Sequence, residues 1–198
     1  MTDNKTQPQT VEPDWNFTPD HDEPDDDLDD DLSLDAPEVA RPINWRLLSA
    51  NDAEYEWLAL NEWVHWLRIT FGLPASVIPP FWHRHWELVW ELSALHQHWL
   101  AAYDPGQHAS AAIGWMTDFH TAIQRLRDWT ATSGTRLDHD RPTRVTTWPG
   151  EDPFPSPTDI DIPDREEDFV DWMIADVNAR AEAEAAFLRA GDAMADEA

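Results

Sequence analysis

Nine tryptophans (Trp57, Trp63, Trp66, Trp82, Trp86, Trp90, Trp99, Trp115 and Trp129) crowd between residues 57 and 129 of this 198-residue chain, and the charge does the reverse. Residues 1–40 carry a net −13, residues 41–148 only −2 and residues 149–198 −12, which together make the total of −27. A nearly neutral, aromatic middle can bury a core, whereas ends of a single charge repel themselves. The expected organisation is a disordered acidic tail over 1–40, a helical core domain over 41–148, a Pro-rich linker over 149–163, a C-terminal amphipathic helix over 164–191 and a tail over 192–198.

The stretch from Asp20 to Asp35, DHDEPDDDLDDDLSLD, has too little apolar surface to offset an ordering entropy of roughly 1–2 kcal/mol per residue. It reads either as a solubilising tail or as an arm that imitates phosphates. From Pro149 to Pro163, PGEDPFPSPTDIDIP contains five prolines, which forbid a helix and favour extended chain. No run approaches the roughly 18 apolar residues of a membrane span, and the acidic N-terminus is unlike a signal peptide. A cytoplasmic protein without membrane insertion is expected. At −27, direct non-specific nucleic-acid binding is not.

Helical periodicity dominates residues 51–131, and the longest strand-like alternation is the four residues Val145–Trp148, so the predicted class is all-α. The expected architecture is a small Trp-rich bundle of three core helices plus the C-terminal helix. Asn51 with Glu54 is a candidate cap for the first helix, Leu60, Val64, Leu67 and Phe71 form its stripe, and Gly72 and Pro74 stop it. Leu58, Trp66 and Ile69 lie off that stripe, giving two apolar faces: either the helix is central or one face meets a partner. The second helix is announced by Pro79-Pro80 and stops at Asp104-Pro105-Gly106. Its wheel separates an apolar arc, which also holds His85 and His96, from a solvent arc of His83, Arg84, Glu87, Glu91 and His98. The third runs from about Ser110 to Thr132 with Ile113, Met116, Phe119, Ile123 and Leu126 as its stripe and Trp115 and Trp129 flanking. In the fourth, Asp164 with Glu167 is a candidate cap, and Val170, Met173, Val177, Ala181 and Leu188 line one face before Gly191. This helix either packs back on the bundle or offers Phe169, Trp172, Met173 and Val177 to a partner's groove. Trp63, Trp66 and Trp90, off the core stripes, are candidates for a further exposed patch.

Catalytic signatures are sparse. There is no cysteine, hence no disulfide, thiolate metal site or thiol nucleophile. No two of the nine histidines have the three- or four-residue spacing that places two ligands on one ion, and all six glycines are isolated. His85 and His96 are expected to bury a ring face and bond a ring nitrogen to a neighbour. No metal and no cofactor is expected, although His83, Glu87 and His98 would be the residues of a metal-assisted hydrolase. Arg125, Arg127, Arg136, Arg141 and Arg144 against Asp128, Asp138 and Asp140 make one segment lean basic, a weak phosphate contact at most.

The run Trp82-His-Arg-His85-Trp-Glu87-Leu-Val89-Trp-Glu-Leu92-Ser-Ala94-Leu95-His-Gln-His-Trp99 resembles the W-x-x-H-x-E-x-V-x-x-L-x-A-L-x-x-x-W pattern of an actinobacterial family of unknown function. That family is carried on plasmids, phages and integrative elements, often near conjugation genes. Trp115 and Asp118 match its later W-x-x-D. Phe81 stands where members often carry Cys, and Trp86 where they often carry Pro. The resemblance implies a mobile-element setting and supplies no catalytic residues. The leading expectation is a non-enzymatic accessory or adaptor protein of such an element that binds a protein partner, attached to its DNA-transfer machinery. The alternative is an acidic decoy that occupies a nucleic-acid-binding protein. The oligomeric state is left open.

Overall fold

Four helices carry most of the computed structural model, which describes residues 40–196: α1 (Ala50–Thr70), α2 (Trp86–Ala102), α3 (Ala111–Thr132) and α4 (Arg165–Asp196). A 3₁₀ turn at Trp82–Arg84 precedes α2, and the two-residue strands β1 (His139–Asp140) and β2 (Ile160–Asp161) pair antiparallel. The protein is all-α and Trp-rich. The acidic block from Asp20 to Asp35 lies outside the described residues.

The caps explain where the helices begin. Ser49, not Asn51, caps α1: its hydroxyl accepts the Asp52 N–H at 3.1 Å and donates to the Asp52 carboxylate at 2.7 Å. Ser49-x-x-Asp52 is thus a reciprocal capping pair two residues before the expected one. Gly72, at φ 59°, turns the chain out of α1 in the left-handed region that glycine adopts without strain. Asp164 caps α4 by accepting the N–H groups of Glu166 and Glu167. At its far end α4 runs on through Gly191 to Asp196, because the neighbouring alanines and Met194 favour helix and one glycine costs only about 1 kcal/mol.

The core forms where α1, α2, α3 and the first half of α4 converge. Trp57, Leu60, Val64 and Leu67 on α1, Leu88, Val89, Leu92 and Leu95 on α2, and Trp115, Phe119, Ala122 and Leu126 on α3 belong to one buried cluster. Trp115 stacks on Phe119 with ring centres 4.9 Å apart, and its indole N–H donates to the Leu95 carbonyl. The Trp115 indole thus buries a large apolar area and still satisfies its one donor.

The inward face of α3 differs from the expected stripe. Phe119 and Leu126 point inward, but Ile113 and Met116 are exposed, while Trp115, Ala122 and Thr130 are buried. The larger Trp115 takes the core position, which rotates the helix and leaves the smaller apolar residues outside.

α4 packs on its own bundle. Phe169 and Met173 are buried in the core, with Trp172 and Val177 packed against it. Polar contacts lock the same pairing: Trp57 donates its indole N–H to Asp176 at 3.0 Å, and Arg180 bridges Asp176 and the Leu48 carbonyl. The Ala50 N–H donates to Glu184 at 2.7 Å. No helix among the described residues is long and apolar enough to cross a membrane.

Candidate functional site

Polar chemistry concentrates at the start of α2. Pro79 and Pro80 have no N–H, so the chain enters through 3₁₀ turns closed by the N–H groups of Trp82, Arg84 and His85, and His85 itself is extended at φ −117°, ψ 101°. This break separates the residues before it from the wheel of α2. His83, expected on the solvent arc, is instead fully buried: its Nε2 lies 2.8 Å from Asp168 on α4. Arg84 grips the same carboxylate in bidentate fashion and lies 5.1 Å over the Trp172 ring. Burial pushes His83 down to about 4 despite the Asp168 hydrogen bond, so the neutral ring donates from Nε2 and its Nδ1 stays without a partner.

On the other side of the break, His85 Nε2 meets Asp140 Oδ1 at 2.8 Å and Nδ1 meets Thr143 Oγ1 at 3.0 Å. The Thr143 hydroxyl donates to Glu87 at 2.6 Å. Burial opposes the charge on His85, but hydrogen bonds and attraction from Asp140 and Glu87 outweigh it and hold its pKa at about 9. Burial likewise works against the Glu87 carboxylate, which hydrogen bonds from His85 and Thr143 nevertheless lower to about 2.

This proton inventory decides what the cluster can do. An Asp–His–Thr array resembles a catalytic triad only if the imidazole has a lone pair to take the hydroxyl proton. Here both ring N–H groups donate, and the Thr143 proton already points at Glu87. The arrangement is a clamp that fastens residues 140–143 to α2. It gives His85 and Glu87 of the sequence pattern a structural role, with Trp82, Val89, Leu92 and Leu95 in the core beside them.

The candidate hydrolase residues part company. His83 faces Asp168, Glu87 faces Thr143 and His85, and His98 pairs with Asp118 at 3.1 Å. Among the described residues no group of three or more His, Asp or Glu side chains could hold a metal ion. His96 stacks on Trp63 at 4.9 Å with Trp99 beyond, and burial lowers it to about 4.

The candidate partner-binding residues divide in the same way. Phe169 and Met173 are held in the chain's own core, and Trp172 and Val177 are packed on it, so none is a free anchor. Trp63 is buried too, between His96 and the Trp66–Trp99 pair. Trp90 stays partly exposed on α2.

Trp66 belongs to a larger feature. Tyr55, Leu58, Trp66 and Ile69 are 66%, 50%, 38% and 59% exposed on α1. With Glu62 they recur at spacings of three, four, four and three, one continuous stripe about 21 Å long at 1.5 Å per residue. The opposite side of α1 is occupied by α2 and α4. Tyr55 was missed in sequence because it lies a turn before the tryptophans; its spacing of three to Leu58 was the available signal. Asp140, Thr143 and Asp168 carried no signal, being ordinary polar residues far along the chain from their histidines. Comparison with known protein families, with curated proteins and with solved structures finds nothing that matches this chain.

Proposed function

We propose that the protein is a non-enzymatic binding module, an accessory or adaptor that works in the cytoplasm and holds a protein partner on the outer face of α1. The stripe of Tyr55, Leu58, Trp66 and Ile69 carries this reading. Two exposed apolar pairs, Tyr55–Leu58 and Trp66–Ile69, flank Glu62 on one face, and this heptad-like spacing fits one amphipathic helix laid alongside. The amphipathic α4 supplies the bundle's own need for a covering helix on the other side of α1, so the outer row is left for a second molecule. The resemblance of residues 82–99 to the mobile-element family supports an accessory role beside DNA-transfer machinery, and the clamp geometry at His85 supports a role without catalysis.

The test is affinity capture by the full chain from its native host, followed by reconstitution with the purified partner. Leu58→Asp with Ile69→Asp should abolish the complex while leaving the circular dichroism spectrum and Tm unchanged, since both side chains face water. A complex that survives both substitutions would overturn the reading.

A further inference from the structure

Among the described residues some arginines are ion-paired and others are not. Arg84, Arg125, Arg141, Arg165 and Arg180 are each paired with an acid. Arg127 and Arg136 are not: Arg127 only approaches Gln124 at 3.5 Å, and Arg136 donates to the Thr135 carbonyl at 2.8 Å. Asp159 lies within electrostatic reach of Arg136 but is ion-paired to Arg141.

These two arginines line one hollow of about 460 Å³ between the end of α3, the turn after α1 and the loop after α3. No acidic residue lines it. Ser76 adds a hydroxyl, and Pro79 and Leu137 add apolar wall. Thr135, whose buried hydroxyl has no hydrogen-bond partner, also lies in the wall. A second hollow of about 320 Å³ shares Ala75, Pro79 and Leu137 with the first and brings Arg68 to its edge.

We infer that this hollow binds a small organic anion, a carboxylate or phosphate monoester on an apolar body, through the guanidinium groups of Arg127 and Arg136. The size falls within the roughly 300–1,000 Å³ of small-molecule sites, and guanidinium forks match both oxyanions. A nucleic acid is disfavoured because two arginines release few counterions and the chain as a whole repels a polyanion. Pairing elsewhere neutralises Arg125 and Arg141, which leaves Arg127 and Arg136 of this segment in the hollow and Arg144 outside it.

The experiment is an NMR titration of the ¹⁵N-labelled full chain at low salt with phenyl phosphate, benzoate and, as a cationic control, benzylamine. At least one anion should shift the amides of residues 75–78 and 127–137 saturably, with a Kd on the order of 1 mM for so small a probe, and benzylamine should not. Comparing phenyl phosphate with benzoate assigns the phosphate or carboxylate class. Arg127→Ala with Arg136→Ala should weaken binding about tenfold or more, while Arg144→Ala, which removes an arginine outside the hollow, should change it less than about twofold. Absence of saturable shifts with both anions, or an equal loss in Arg144→Ala, would overturn the inference.

Discussion

The imidazole of His85 and the carboxylate of Asp140 meet at 2.8 Å, both buried, although 55 residues separate them in the chain. Helices α2 and α4 and the segment after α3 are organised around that contact and its neighbour, the grip of His83 and Arg84 on Asp168. One ties the segment after α3 to α2, and the other ties α4 to the same turn.

Stability should peak near pH 6.5. His85 is raised from 6.5 to about 9, so its contribution is fully present below pH 6.5 and is lost as pH climbs through 9. His83 and His96 are lowered to about 4, so theirs is present above pH 6.5 and is lost as pH falls toward 4. Glu87, lowered from 4.5 to about 2, steepens the loss at the acid end. Urea unfolding across pH 4–9 should show decline on both sides, on the order of 3 kcal/mol for each fully shifted buried group. In Asp140→Asn the alkaline decline should flatten.

Asp168→Asn should destabilise the protein by about 3 kcal/mol, because it strips a buried histidine and a bidentate arginine of their shared acceptor charge. Asp171→Asn, one residue class alike but exposed on the same helix, should change stability by less than about 0.5 kcal/mol. Chemical denaturation of the two variants makes the comparison.

Gly134 is required by a close approach. A Cβ there would meet the Arg141 Cβ at 2.2 Å, an atom fixed to the backbone that cannot swing away. Gly134→Ala should therefore cost about 1–3 kcal/mol. Gly114, exposed within α3 with nothing within 4 Å of an added Cβ, should gain about 0.5–1 kcal/mol as alanine. Thermal unfolding should move Tm in opposite directions for the two.

The helices were legible because periodicity is local: the α1 stripe of Leu60, Val64 and Leu67, the Gly72 stop and the Asp164 cap are all visible within a few residues. The second apolar face of α1 was legible for the same reason. What escaped depended on distance. The break at His85 moved His83 from a predicted solvent arc into the core, because two prolines set the turn while Asp168, 85 residues away, completes it. Likewise nothing in the sequence of α4 separates an anchor for a partner from one for its own bundle. Phe169 and Met173 read identically in both cases, and long-range contacts such as Trp57–Asp176 and Ala50–Glu184 settle which occurs.

The claim that the outer row of α1 is the docking face is tested most directly by hydroxyl-radical footprinting of the full chain, free and bound to its captured partner. Protection of Tyr55, Leu58, Trp66 and Ile69, with unchanged labelling of exposed Val170 and Ile174 on α4, is the result the account predicts. Protection of Val170 and Ile174, with α1 labelled as in the free protein, would contradict it.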